Sequence, residues 1–156
     1  MNFNDLVQEG AIDAELQSSD RDAVIKQLVD MLVSIGDIKK KDAKGIFDLL
    51  IKRENEASTG IGKGVAVPHV KHSGIKKVVA AIGVSQNGID FNSLDKEPVY
   101  AVILMISPEK DPDAHLKAME IVFKNLQKED FRRFLCQARS TEDVRDLLCE
   151  VDEGEI

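Results

Sequence analysis

Two nearly unbroken apolar runs, residues 78–84 and 99–106, constrain this chain more than any other feature. A strand with one face in water alternates apolar and polar residues, so a run without alternation is covered on both faces. The chain supplies helices for that purpose on either side of the runs. Val24, Leu28, Met31, Leu32 and Ile35 recur at helical spacing after the capping-type run Ser18-Ser19-Asp20, and Gly36 is a natural stop. A second stripe, Ala43, Ile46, Phe47, Leu50 and Ile51, ends at Lys52-Arg53, whose cations suit the negative end of a helix dipole. After the strands, Asp111-Pro112-Asp113 starts a helix with the stripe Leu116, Met119, Val122, Phe123 and Leu126. A short helix around Phe131, Phe134 and Leu135 follows, and Ser140-Thr141-Glu142-Asp143 resembles a capping box ahead of Val144, Leu147, Leu148 and Val151. Helices flanking covered strands predict an α/β fold, a three-layer α/β/α sandwich with a central mixed sheet.

Weaker signals fill in the rest. Alternation over residues 11–16 predicts a short strand, and Gln86-Asn87-Gly88 a turn. Residues 54–64, with Gly60, Gly62 and Gly64 and no apolar period, read as a loop. Val65-Ala66-Val67-Pro68-His69-Val70 reads as a strand whose proline, lacking a ladder donor, places it at an edge or at its own end. The 156 residues suit a single domain over 1–156, burying about 70% of its unfolded surface, with an acidic, frayed tail over 150–156. No apolar run approaches the roughly 18 residues that span a bilayer, and the start, Met1-Asn2-Phe3-Asn4-Asp5, is no signal peptide. A soluble, cytoplasmic protein without membrane insertion is expected. Cys136 and Cys149 are too few for a disulfide framework and read as buried thiols. The 21 Lys and Arg against 28 Asp and Glu give a charge of −7, and there is no Trp and one Tyr. Such a chain lacks both the phosphate-neutralising charge and the stacking rings of a nucleic-acid binder.

Chemistry centres on three histidines. His69 ends a strand, directly after Pro68 and downstream of Ser58-Thr59-Gly60-Ile61-Gly62-Lys63-Gly64. That loop offers two hydroxyls and unhindered backbone N–H groups, the kind of surface that holds phosphate oxygens without a metal. Arg53 adds a planar bidentate donor if the loop folds back. His115 falls on the inward edge of its helix, and His72 sits in an exposed turn by composition. A neutral imidazole at the end of such a strand is placed to take up a phosphoryl group, provided its other nitrogen is held by a hydrogen bond. Two nucleotide motifs fail on residues: Gly62-Lys63 is followed by Gly64 rather than Ser or Thr, and Val65 stands where a dinucleotide fold needs its third glycine. A metal site of His69, His72 and His115 lacks any familiar ligand frame, and no Gly-x-Ser-x-Gly elbow supports a hydrolase. Neither metal nor cofactor is expected.

Glu54 with Ile61-Gly62-Lys63-Gly64-Val65-Ala66-Val67-Pro68-His69 resembles the phosphorylation-site signature of the enzyme IIA domains of the bacterial phosphotransferase system, in the fructose/mannitol branch that includes the nitrogen-regulatory proteins. Arg53, Ser58-Thr59-Gly60 and Asp113-Ala114-His115-Leu116 also follow the family, so the resemblance covers nearly the whole chain. It implies that His69 accepts a phosphoryl group from the carrier protein HPr, that His115 lies beside it, and that Arg53 neutralises the transferring oxygens. Ser58, Thr59, Gly60 and Gly62 would line the phosphate site. The phosphate would then pass to an enzyme IIB domain, or its presence would govern binding to regulated target proteins. One residue departs from the pattern: Val70 stands where the family has Gly, Ala or Cys. A branched side chain there narrows the donor's approach, and the alternative is a non-catalytic protein-binding module on the same fold. In sequence, Lys52, Arg53, Lys63 and Lys71 gather around the loop and His69, so the overall acidity is not local to the site.

Overall fold

A computed structural model describes residues Met1–Ile156. The two apolar runs form the sheet's centre. Strand β5 (Val79–Ile89) pairs antiparallel with β6 (Val99–Pro108), Ile82 facing Ile103 at mid-strand. Beyond β5 lies β1 (Val7–Asp13), parallel to it. Along the other side of β6, two short parallel strands run end to end: β3 (Val65–Ala66) and β4 (His69–His72). A further strand, β2 (Gly60–Gly62), pairs antiparallel with β3.

Helices α2 (Arg21–Ser34) and α3 (Lys40–Glu56) pack together, α2 on β1 and β5 and α3 on β4. The other layer holds α4 (Pro112–Leu126) on β6, α5 (Glu129–Gln137) on β5 and β6, and α6 (Thr141–Asp152) on β1. The architecture is thus the α/β/α sandwich with a mixed six-stranded sheet, and its buried apolar residues form one continuous cluster. Caps sit where side-chain chemistry places them. The Asp20, Asp111 and Ser140 side chains accept the backbone N–H groups of Ala23, Ala114 and Asp143 at 2.9, 3.1 and 3.1 Å. No helix is long and apolar enough to cross a membrane.

Several local expectations change. The first strand runs Val7–Asp13 rather than over 11–16; its burial does not alternate, Ala11 and Ile12 both being buried, and its register against β5 is irregular between Val7 and Ile12. A one-turn helix, α1 (Phe3–Leu6), precedes it, with Phe3 stacked on Phe131 at 5.7 Å. The expected loop over 54–64 is the last turn of α3 followed by a β2–β3 hairpin. Its turn residues Lys63 and Gly64 both have positive φ, 59° and 84°, the geometry that matches strand twist in a two-residue turn. The expected strand over 65–70 breaks at Val67-Pro68, where the Pro68 carbonyl still accepts the Met105 N–H at 2.9 Å. Gln86-Asn87-Gly88 is a bulge inside β5 rather than a turn, with the Ser85 hydroxyl accepting the Gly88 N–H at 3.1 Å.

On α4, Leu116 is 60% exposed and the core face is Ala118, Val122 and Leu126, because His115 takes the inward position before them. Cys149 is exposed and Cys136 only half-buried, contrary to the reading as two buried thiols; burial still pushes the Cys136 thiol up to about 11. The segment 150–156 is not simply frayed. Residues 150–152 are helical, and the Asp152 carboxylate accepts the Phe3 and Asn4 backbone N–H groups at 2.8 and 2.9 Å.

Candidate active site

The parallel pairing of β4 with β6 brings two histidines together at one end of the sheet. His69 opens β4 immediately after the Pro68 break, and its Nδ1 lies 2.7 Å from the Val67 carbonyl oxygen. A carbonyl only accepts, so Nδ1 carries the proton and Nε2 of the neutral ring keeps its lone pair. His115 comes from the first turn of α4, which Asp111 caps and Pro112 starts. Its Nδ1 lies 2.7 Å from the hydroxyl of Ser107, a fully buried residue near the end of β6. The two imidazole rings stand 6.2 Å apart, centroid to centroid, at 35°. Sequence reasoning finds the pair but misses its two anchors. Ser107 carries a signal, a lone hydroxyl ending an apolar strand eight residues before His115; the Val67 carbonyl carries none.

Burial lowers the His115 pKa below 6.5, and repulsion from the Lys71 ammonium, and from His69 whenever that ring is protonated, lowers it further. His115 is therefore neutral at pH 7. Between its depressed folded value and the ordinary histidine value, the unfolded chain binds more protons than the folded one, so stability falls as pH drops through that window. A histidine titration followed by NMR should give His115 a midpoint below 6.5, and urea unfolding should show lower stability at the acid side of that midpoint than at pH 7.5. A midpoint above 6.5 would contradict the burial argument.

The histidines line a pocket of about 450 Å³ together with Val70 and Lys71 from β4 and Leu49, Lys52, Arg53 and Glu56 from α3. Three cations against one carboxylate make the pocket positive, although the chain as a whole is acidic. Arg53 is held in place by donating from Nη1 to the Ala57 carbonyl at 2.6 Å, and it forms no ion pair. Its other guanidinium donors remain for an anion. Val70 is half-buried, packs against the core and forms part of the pocket wall beside His69.

Ser58, Thr59, Gly60 and Gly62 do not line this pocket. The Ser58 hydroxyl donates to the Phe91 carbonyl at 2.6 Å and accepts the Gly60 N–H at 3.0 Å. Thr59 is buried, its hydroxyl and N–H both turned to the Glu54 carboxylate. A Cβ on Gly60 would fall 2.2 Å from the Ser93 hydroxyl, and Gly62, with φ of 90°, packs beside Asp95. These residues build the loop. Lys63 also stands apart, in a second cavity with Asp95 and Arg132, so only Lys52, Arg53 and Lys71 of the expected cations face the histidines. His72 accepts the Gly74 N–H at 2.9 Å and lies beside Gly45 of α3, away from the pair. No three His, Cys, Asp or Glu side chains converge as metal ligands.

Residues 5–151 match the family model described as phosphoenolpyruvate-dependent sugar phosphotransferase system, EIIA 2. The chain is 33% identical over 142 residues to a fructose-specific EIIA component of that system from Haloferax volcanii, covering 91% of each protein. It is 29% identical over 132 residues to a nitrogen regulatory protein from Pseudomonas aeruginosa, covering 85% of this chain and 84% of that one. In fold it is similar to the crystal structure of nitrogen regulatory protein IIA-Ntr from Neisseria meningitidis. There the TM-score is 0.82 at 24% identity, over 93% of this chain and 97% of the other.

Proposed function

Since the chain belongs to the EIIA 2 family of the phosphoenolpyruvate-dependent sugar phosphotransferase system, we propose that it carries a phosphoryl group on Nε2 of His69, received from the phosphohistidine of an HPr-type carrier. One observation carries the reading. Val67 holds the proton on Nδ1, leaving the Nε2 lone pair in a pocket lined by Lys52, Arg53, Lys71 and a second imidazole. In the transfer, Nε2 bonds to phosphorus as the donor's nitrogen–phosphorus bond breaks, and the donor imidazole leaves with that electron pair. Phosphoryl transfer asks mainly for alignment and charge compensation. The cations face the transferring oxygens, and the Nδ1–H bond to Val67 supports the positive charge that the phosphorylated ring acquires. In the tautomer in which the Ser107 hydroxyl donates to Nδ1 of His115, the His115 Nε2–H is a further donor for a phosphoryl oxygen.

The donor is read as a protein because the pocket's rim carries exposed apolar surface. Leu49, which lines the pocket, is 40% exposed, and Leu116, next in sequence to His115, is 60% exposed. Onward passage to an enzyme IIB-type acceptor is favoured by the match to the fructose-specific component, and a regulatory use of the phosphorylated state by the match to the nitrogen regulatory protein. Incubation with phosphoenolpyruvate, enzyme I and HPr should add the mass of one acid-labile phosphoryl group per chain. Complex formation with phospho-HPr and no mass gain would instead identify a non-catalytic docking module, with Val70 blocking the approach.

A further inference from the structure

Glu54 is buried to 3% exposure in the last turns of α3, yet it forms no ion pair. A buried carboxylate persists only where hydrogen bonds replace its lost hydration. Here a single residue supplies them: Thr59 donates its backbone N–H to Oε2 at 3.1 Å and its hydroxyl to Oε1. Thr59 in turn accepts the Val67 N–H on its carbonyl at 3.1 Å. The Val67 carbonyl then accepts Nδ1–H of His69 at 2.7 Å. The peptide that receives His69 lies in the break between β3 and β4, where β6 holds the neighbouring Pro68 carbonyl through the Met105 N–H and Thr59 holds the Val67 N–H.

We propose that Glu54 is a positioning residue for His69, acting through Thr59 and Val67 to hold the imidazole in its Nδ1–H tautomer. The inference rests on the carrier reading for its consequence, although the relay itself is a property of the resting protein. It also ties the nucleophile to the charge that serves it. Arg53 immediately precedes Glu54 on α3, and its guanidinium holds the Ala57 carbonyl, two residues before Thr59. The segment from Ala57 to Thr59 is thus fastened to the end of α3 at both ends, by neighbouring side chains of opposite charge. A shift in this segment would move Arg53 and the His69 anchor together.

The relay predicts a tautomer change as well as a rate change. In Glu54→Gln, the amide oxygen accepts the Thr59 N–H and the NH2 group donates to the Thr59 hydroxyl, so both contacts lose the carboxylate's charge and the hydroxyl reverses from donor to acceptor. Ring ¹⁵N shifts should show a single Nδ1–H tautomer for His69 in the wild type and a mixture in Glu54→Gln. Phosphoryl uptake from phospho-HPr should slow about tenfold, the size expected when a buried hydrogen bond loses its charge assistance. Thr59→Val should reproduce both effects, Thr59→Ser should restore both, and the Glu54→Gln/Thr59→Val double variant should be no worse than the poorer single one. Lower thermal stability with unchanged His69 ring shifts and uptake would overturn the proposal, leaving Glu54 a fold residue only. If Glu54→Gln does not fold, the Thr59 pair decides by the same readouts. Failure of the wild type to take up phosphate, with the tautomer still shifting in the variants, would overturn the carrier reading while upholding the relay.

Discussion

His69→Ala is expected to keep its fold and to take up no acid-labile phosphate from phospho-HPr, a loss of at least about a thousandfold, as removal of an attacking nucleophile typically gives. The fold survives because His69 lies at the start of β4, half-buried, and gives up one side-chain hydrogen bond. The chemistry does not survive, because no other group takes its position. His115 has its Nδ1 engaged by Ser107 and its ring centre 6.2 Å away, and His72 is turned toward Gly74. Quench-flow labelling followed by intact-mass analysis measures both rate and extent. Labelling at the wild-type rate would remove His69 as the acceptor and make His115 the next nitrogen to test.

The largest stability effect is expected at the centre of the sheet. Ile103 is fully buried in β6, directly opposite Ile82 of β5. Ile103→Ala removes three carbons where the rigid, paired backbones on both sides cannot close the gap, so a loss of about 3–4 kcal/mol is expected. For a chain of this length that lowers Tm by about 10 °C. Phosphoryl uptake at 20 °C should change little, because the site hangs on strand and helix ends. Leu94→Ala is the matching control: that side chain is 82% exposed, and its removal should alter stability by no more than about 0.5 kcal/mol. Urea and thermal unfolding of the two variants separate these outcomes, and equal effects would mean that burial on the central strands does not govern stability.

The elements that were legible in the sequence are those whose local chemistry and tertiary role agree. The two apolar runs locate β5 and β6, and the acidic or hydroxyl caps Asp20, Asp111 and Ser140 mark helix starts that the structure keeps. The β2–β3 hairpin was not legible. Strands of three and two residues are too short to show a period, and glycines serve a hairpin turn as readily as a loose loop. The bulge in β5 was hidden similarly, since Asn87-Gly88 has turn chemistry whether the chain reverses or merely kinks. Within the candidate site, His69, His115 and Arg53 could be named because their side chains are themselves the chemistry. Ser58 and Thr59 show the opposite case. A hydroxyl in a glycine-rich segment reads the same whether it turns to a ligand or, as here, to the Phe91 carbonyl and the Glu54 carboxylate. Which way it turns depends on residues brought close only by folding.

The placement of His69 on β4 also bears on how the protein stays dispersed. Within the sheet β4 pairs with β6 alone, so its other side is an edge, and an open edge invites another chain to add a strand. If His69 is the nucleophile proposed above, that edge cannot be covered without covering the reacting group as well. The sequence guards it instead with Pro68, which interrupts the ladder just before the histidine, and with the exposed charge of Lys71 two residues after it. The cation that suits an incoming phosphoryl group therefore also discourages aggregation. Neutralising Lys71 is expected to raise the tendency to self-associate as well as to slow phosphoryl uptake.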